Sequence, residues 1–149
     1  MKMTALKQRF QREFGRCETK SVKYSLDSIK DQSPKVYAAD EVMEQHPGKR
    51  CDSFVLCVYA PSTTGIYVVE EKGNHAPIKA VRKQLQSGAD FLCGHLTDMD
   101  KFKFLPVLVA KGMSSSMHRE LLRVSIKLRE KTRQIRHVKP KAPLPPIAA

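Results

Sequence analysis

The clearest pattern in the chain is two runs of apolar and β-branched residues separated by turn formers. The first run, from Asp52 to Tyr59, reads DSFVLCVY, and the second, from Ile66 to Lys72, reads IYVVEEK. The residues between them, APSTTG, favour a turn. The pattern therefore predicts a β-hairpin with a loop of about five residues. If Tyr59 pairs with Gly65, Asp52 faces Lys72.

Helical patterns precede the hairpin. Leu6, Phe10 and Phe14 recur at helical spacing and predict one helix, followed by a loosely organised connection. Good helix formers over residues 38–46, ended by a Pro-Gly pair, predict a second, short helix.

Another helix and a strand follow the hairpin. The apolar residues of 77–88 recur at helical spacing up to Gly88, and this predicts a helix that crosses back over the sheet. Residues 102–110 are largely apolar and predict a third, buried strand, with Pro106 indicating an edge or a bulge near its start. Between these elements, His75 is expected to be an exposed loop histidine rather than a general base.

The last third of the chain has two interpretations. A serine cap and helix-compatible residues predict a short helix over 114–122. Apolar and basic residues then alternate over 123–129, which is the period of a strand, and a turn would return a last strand that ends near Val138. A continuous helix over 115–138 is the competing interpretation. From Lys139 the sequence KPKAPLPPIAA predicts an extended or disordered tail.

These elements together predict a mixed α/β fold, with a β-hairpin and flanking helices. A chain of 149 residues is long enough for one domain and too short for two ordinary ones. We expect an amino-terminal helix and connection over 1–37, a single domain over 38–138, and a Pro-rich flexible tail over 139–149.

Composition narrows the class of protein. With 41% hydrophobic and 28% charged residues, the chain is typical of a globular protein. No apolar run approaches the roughly 18 residues of a membrane span, and the first residues lack the apolar core of a secretory signal. The four cysteines form no CxxC pair and are expected to be reduced thiols. The default expectation is a cytoplasmic protein without a membrane partner.

The charge is large and one-sided. Of the formal net charge of +12, residues 76–149 contribute +10, with 15 basic and 5 acidic side chains. Such a surplus attracts polyanions, of which nucleic acid is the commonest inside cells. The candidates for phosphate contact are Arg119, Arg123, Lys127, Arg129, Lys131 and Arg133. The four candidates from Arg123 to Lys131 are predicted to line one strand face, although a solvated charged face is the plainer interpretation.

The hairpin also carries a group of residues with chemical potential. Glu70 and Lys72 are two positions apart, so they project from the same strand face at the end of an apolar row. Asp52 opens the preceding strand, and a register shifted by one residue would separate it from them. Cleavage of a phosphodiester uses oxygen ligands for Mg²⁺ and a cation beside the attacking water. A surface ion pair and a turn-capping aspartate are the plainer interpretations.

This arrangement, an acid that opens one strand and Glu-x-Lys at the end of the next, followed by a crossing helix, resembles the core of the PD-(D/E)XK (restriction-endonuclease-like) nuclease superfamily. The resemblance implies an α-β-β-β-α-β core with a central mixed sheet, and Asp52 and Glu70 as ligands of Mg²⁺ or the substitute Mn²⁺. It also implies that Lys72 positions the water, and it makes Gln84 on the following helix a catalytic candidate. Cys51 stands where the family pattern has proline. Glu18-Thr19-Lys20 has the same letters without a strand pattern around it.

The resemblance further implies hydrolysis of DNA phosphodiesters by a magnesium-activated water, with RNA as a second candidate substrate. A chain of this size is expected to act as a homodimer or as a subunit of a larger nucleoprotein assembly. Two alternatives remain. One is a nucleic-acid-binding module of the same fold without turnover, and the other is an interaction subunit whose basic face and Pro-rich tail contact an acidic partner.

Overall fold

A mixed sheet of five strands lies at the centre of the structure, which is a computed structural model describing residues 3–31, 33–74 and 77–147. In chain order the elements are α1 (Ala5–Phe14), β1 (Lys35–Ala38), α2 (Ala39–Val42), β2 (Ser53–Ala60), β3 (Thr63–Glu71), α3 (Ile78–Cys93), β4 (Lys101–Val109), α4 (Ser115–Leu122), β5 (Ser125–Leu128), β6 (Lys131–Gln134) and β7 (Arg136–Val138). The predicted mixed α/β class is confirmed. His75 lies outside the described residues.

The strand order in the sheet is β1-β2-β3-β4-β7. Strand β2 pairs antiparallel with both β1 and β3, whereas β4 pairs parallel with β3 and β7 pairs parallel with β4. The parallel pairing of β3 and β4 requires a crossover connection, and α3 provides it. Strands β5 and β6 form a separate antiparallel hairpin that contacts α3.

The sheet has two buried faces. One, which we call the helix face, packs against α1, α3 and the β5–β6 hairpin. Its sheet residues include Phe54, Leu56, Ile66, Val68, Phe104 and Leu108. The opposite face, here the strap face, is covered by residues 22–29 and 142–147, which we call the strap. Because successive side chains of a strand alternate between faces, even-numbered positions of β2 and β3 lie on the helix face.

The β2–β3 register differs from the predicted one. Cys57 pairs with Gly65, and the irregular pairing at Ala60 leaves only Pro61 and Ser62 in the loop, with Ser62 at a φ of 66°. The predicted pairing of Tyr59 with Gly65 is therefore wrong by two residues, because the strands extend into the segment that we took as a five-residue loop. A shift of two preserves the period of the strand, so the predicted faces are retained.

Helix α3 continues five residues beyond its predicted end at Gly88. This glycine lies in the helix interior, where a Cβ would be 2.6 Å from Sγ of Cys51 and 3.0 Å from Cγ1 of Val68. Glycine here permits close approach of the helix to the sheet and does not end the helix. The predicted helix over 38–46 is shorter than expected, since only Ala39–Val42 is helical.

The carboxy-terminal third confirms the interpretation as helix and strands. The side chain of Ser114 accepts a hydrogen bond from the backbone nitrogen of Met117 and caps α4. The continuous helix over 115–138 is wrong, because the chain turns at Arg129, whose φ of 56° is left-handed. No helix within the described ranges has both the length and the apolar content that crossing a membrane requires.

The segment that was expected to be an extended or disordered tail is extended and packs on the strap face. Leu144 is fully buried, and its backbone nitrogen donates to the carbonyl of Ser25 at 3.0 Å. The hydroxyl of Tyr67 donates to the carbonyl of Pro145 at 2.8 Å. Strand β1, from the predicted amino-terminal connection, belongs to the central sheet. Both flanking segments thus contribute to the packing around the sheet.

We expect Gly88→Ala to lower the free energy of unfolding by about 1–3 kcal/mol, because the added methyl group overpacks the contact between α3 and the sheet. Chemical denaturation with urea measures the change. Gly94→Ala is the matched control, since its Cβ would make only an ordinary 3.5 Å contact with the carbonyl of Phe91. Equal stability of the two variants would contradict the proposed role of Gly88.

Candidate active site

Asp52 stands immediately before β2, where the β2–β3 pairing ends. Its backbone nitrogen donates to the carbonyl of Val69 at 3.0 Å. Its side-chain Oδ2 accepts a hydrogen bond from the backbone nitrogen of Glu71 at 2.6 Å. The carboxylate is exposed and is held against the end of β3.

Glu70 lies on the helix face near the end of β3 and is only 2% exposed. Its Oε2 is 3.0 Å from Nζ of Lys72, whose side chain is 25% exposed. When Glu70 is protonated, its carboxyl group can share a hydrogen bond with that of Asp52. The structure therefore brings together the three residues predicted from the hairpin, and Glu70 is the buried member among them.

The acidity of Glu70 is strongly perturbed. Burial raises its pKa, and the hydrogen bond and negative charge of Asp52 raise it further, to about 8, although Lys72 opposes the shift. Because neighbouring carboxylates repel each other, Glu70 retains its proton at neutral pH. A divalent cation would remove this repulsion.

Two buried oxygens lack hydrogen-bond partners. Within the described part of the chain, Oε1 of Glu70 and Oε1 of Gln84 are the buried side-chain nitrogen or oxygen atoms for which no partner is present. Such atoms are rare in native structures and need an explanation. Both belong to residues predicted to form the site. Carboxylate and amide oxygens are the donors that Mg²⁺ prefers, so these side chains fit a hard divalent cation or its bound water.

Gln84 is placed by α3. It precedes Gly88 by four residues, so the two share one side of the helix, the side that Gly88 presses against Cys51 and Val68. Across residues 3–31, 33–74 and 77–147, no group of three or more histidine, cysteine, aspartate and glutamate side chains could hold a metal ion. The candidate donors are two carboxylates together with amide and carbonyl oxygens.

The residues next to the site are either uncharged or bonded to other parts of the protein. Cys51 is buried, and burial together with the nearby charges of Glu70 and Asp52 raises its pKa, so it is a neutral thiol. Glu71 points to the other face, as predicted, and its Oε2 accepts a hydrogen bond from the backbone nitrogen of Lys23 at 2.8 Å. Glu18, which has the same Glu-x-Lys spacing, is instead 3.7 Å from Lys35 in a loop.

The predicted row of basic residues is not on one face. In the β5–β6 hairpin, Lys131 pairs with Leu128 and Arg133 pairs with Ile126, so these cations share a side with buried apolar residues. Lys127 lies on the other side and is exposed. The predicted alignment of Arg123, Lys127, Arg129 and Lys131 is therefore wrong, because the turn comes earlier than the sequence pattern indicated.

Two of the candidates for phosphate contact are used within the protein. Nζ of Lys131 donates to the carbonyl of Phe102 and lies 4.3 Å from the centre of its ring. The guanidinium of Arg129 donates to the carbonyl of Leu96 at 2.6 Å and is 3.9 Å from Asp98. Arg119, Arg123 and Lys127 are exposed and available to a ligand.

The sequence interpretation missed three exposed cations on α3. Lys79, Arg82 and Lys83 occupy the first two turns of this helix, beside Gln84, and the first turn contains no acidic residue. Cations near a helix amino terminus are unfavourable, because they meet the positive end of the helix dipole. The sequence feature that could have revealed these cations is the run KAVRKQ, which contains three basic residues and no acidic residue.

We expect the free energy of unfolding to fall as the pH rises from about 5 to about 9. The pKa of Glu70 is raised from 4.5 to about 8 in the folded protein, so between these values the folded state retains a proton that the unfolded state has released. Stability then decreases with pH, by at most about 1.4 kcal/mol per pH unit.

Urea denaturation across this pH range tests the expectation. Glu70→Gln removes the titrating group, so its stability should change less with pH than that of the wild type. Glu18→Gln, in an exposed loop, should follow the wild-type profile. Parallel profiles for the wild type and Glu70→Gln would show that Glu70 is not the group responsible.

Comparisons of this chain with protein-family models, with curated proteins and with solved structures found no match.

Proposed function

We propose that this protein is a magnesium-dependent nuclease that hydrolyses phosphodiester bonds of DNA. The observation that carries the proposal is that Asp52, Glu70 and Lys72 lie together at the end of the hairpin, and that the buried Glu70 has a carboxyl oxygen without a hydrogen-bond partner. Strongly perturbed acids beside a cation are typical of functional sites.

The topology supports the same proposal. Apart from the four-residue α2 between β1 and β2, the elements from α1 to β4 follow the α-β-β-β-α-β order that the resemblance to PD-(D/E)XK nucleases implies. The acidic residues also stand at the corresponding places, at the start of one strand of the hairpin and near the end of the other. Both features support a restriction-endonuclease-like core.

Asp52 and Glu70 would hold Mg²⁺, or Mn²⁺ as a substitute, with the carbonyl of Glu71 as a third candidate ligand. A bound ion of this kind supplies a Lewis acid and lowers the pKa of a coordinated water. Glu70 must release its proton before both carboxylates can act as ligands. Since the pKa of Glu70 is about 8, the affinity for the cation is expected to increase as the pH rises towards that value.

Lys72 and Gln84 would act on the attacking water. Nζ of Lys72 is 3.0 Å from Oε2 of Glu70 and its side chain is 25% exposed, so the ammonium group can orient a water and stabilise the hydroxide. The unpartnered Oε1 of Gln84 can accept a hydrogen bond from the same water. Lys72 would therefore affect turnover more than it affects substrate binding.

The charge of the protein supports a polyanionic substrate. The formal net charge is +12, and exposed cations on α3 and α4 flank the helix side of the site. Phosphate contacts of this kind give affinity without sequence preference. DNA is the substrate that the resemblance implies, and RNA is the second candidate.

We expect the purified wild-type protein to nick or linearise plasmid DNA in the presence of Mg²⁺ or Mn²⁺. Glu70→Gln and Lys72→Ala should each lower the cleavage rate by about 100-fold or more, because they remove a metal ligand and the group that orients the water. Gel electrophoresis over a time course measures the rates. The matched controls are Glu18→Gln and Lys35→Ala, which disrupt an exposed ion pair of the same residue types.

Cleavage that persists in both Glu70→Gln and Lys72→Ala would show that this site does not carry out the reaction. Wild-type protein that binds DNA but does not cleave it with either cation would instead support a nucleic-acid-binding module without turnover.

A further inference from the structure

The three parallel strands of the sheet end at one edge, next to the candidate active site. Strand β3 is followed by Lys72, and the hydrogen bonds continue past the strand ends: the nitrogen of Lys72 donates to Val109, and that of Ala110 donates to Val138. Lys139 follows Val138 directly. Ligands of open sheets bind outside the carboxyl ends of parallel strands. This carboxyl edge is therefore a natural place for substrate contacts.

A pair of histidines lies at the same edge. Glu70 pairs with Leu108 of β4, and Leu108 pairs with His137 of β7, so Glu70 and His137 lie in one row across the helix face. Two interstrand spacings separate their backbones by about 10 Å. The ring of His137 is 5.6 Å from that of His118 on α4, in an edge-to-face arrangement. Nε2 of His137 is 2.9 Å from the carbonyl of Ala110, so the ring is fixed in orientation.

Two lysines just beyond the ends of β4 and β7 have no acidic partner among the described residues. Lys111 follows β4, and its backbone nitrogen donates to the carbonyl of Gly73, directly after Lys72. Within the described ranges, neither Lys111 nor Lys139 forms an ion pair, and both are exposed. By contrast, Arg9 on α1 forms an ion pair with Asp100, the residue before β4. The carboxyl edge thus carries two lysines and two histidines, and neither lysine is neutralised by an acidic side chain of the described residues.

We propose that Lys111, His118, His137 and Lys139, here called the carboxyl-edge cluster, bind a phosphate of the substrate strand adjacent to the phosphodiester that is cleaved. The inference rests on the proposed function, because it extends the same site. The distance of about 10 Å from Glu70 is too long for contact with the reacting phosphate, and it suits a neighbouring phosphate on the same nucleic-acid strand. The ammonium groups supply attraction, and the imidazole N–H groups supply directed hydrogen bonds.

This assignment differs from the one that charge density along the sequence suggested. The carboxyl-edge cluster places the substrate across the ends of β3, β4 and β7, rather than along the β5–β6 hairpin. A bound strand would then cross from Lys72 towards α4. The cluster would act in binding and positioning, because none of its four residues contacts Asp52 or Glu70.

The test measures binding of a fluorescently labelled 20-nucleotide DNA, single-stranded and duplex, by anisotropy in a chelator, so that cleavage cannot occur. Two double variants of the full chain, Lys111→Gln with Lys139→Gln and His118→Gln with His137→Gln, are compared with the wild type. We expect each to raise Kd, the lysine variant by roughly tenfold, and the lysine variant to reduce the slope of log Kd against log salt by about 1 to 2.

The matched control removes two lysines at the opposite end of the sheet. Lys101 begins β4, and Lys30 is near Tyr59 at the hairpin tip. Both are exposed, so Lys30→Gln with Lys101→Gln lowers the net charge equally. We expect this variant to weaken binding much less. An equal loss of affinity in the control variant would show that net charge alone determines binding, and it would overturn the assignment of the carboxyl-edge cluster as a phosphate site.

A second measurement does not depend on the variants folding well. In NMR spectra of the wild-type protein, the ring signals of His118 and His137 should shift when the same DNA is added in a chelator, whereas those of His46, packed against Phe91, should not. Unchanged signals from both cluster histidines on saturation with DNA would overturn their part in the assignment.

The outcomes separate this inference from the proposed function. Protein that binds DNA through the cluster but does not cleave it would contradict the nuclease and retain the binding site. Protein that cleaves DNA while the double variants bind like the wild type would retain the nuclease and overturn the cluster. Absence of binding to any nucleic acid would overturn both.

Discussion

The register of β2 on β3 is the constraint on which the candidate site depends. Pairing of Ser53 with Val69 places Asp52 beside Glu70, and the period of two keeps both on the helix face. Apolar side chains enforce this register, because Phe54 and Val68 must be buried under α3. A slip of one residue would turn that apolar row of one strand away from α3 towards the strap face and would also send the two carboxylates to opposite faces. The packing of the core and the geometry of the site therefore select the same pairing.

The site lowers the stability of the folded protein, so the surrounding structure must hold its residues in place. Glu70 is almost fully buried beside a second carboxyl group, which is why its pKa is raised to about 8. The backbone nitrogen of Glu71 anchors Asp52, and the strap anchors the side chain of Glu71 on the opposite face through Lys23. Strain of this kind concentrates at functional sites, where it is compensated by the packing elsewhere. A purely structural ion pair between Glu70 and Lys72 would not explain why Oε1 is buried without a donor.

Most elements of the fold could be predicted from local patterns, because they have strong periodicity. Elements of this type are the hairpin, the helix after Pro77, the strand at 102–110 and the Ser114 cap. The two-residue period of a strand likewise predicted that Glu70 and Lys72 lie on one face. The errors have a common physical origin in tertiary packing. Gly88 ends a helix by local rules, but the sheet beneath requires a residue without a side chain there. The segment from Lys139 has the composition of a solvated tail, but in the folded protein Leu144 is buried against the apolar strap face.

The row of basic residues was predicted incorrectly for a related reason, and the correction changes how a polyanion would approach. Charge density along a sequence does not indicate which side chains are tied to carbonyls and rings, as Lys131 is. The crossover through α3 makes β4 parallel to β3, and β7 extends this arrangement, so strand ends far apart in sequence meet at one edge. Since the strap covers the other face, Glu70 is approached from the side of α3 and this edge. Under the proposed function, the cations that would contact the substrate are set by the topology that places them near Glu70, rather than by the local composition of the sequence.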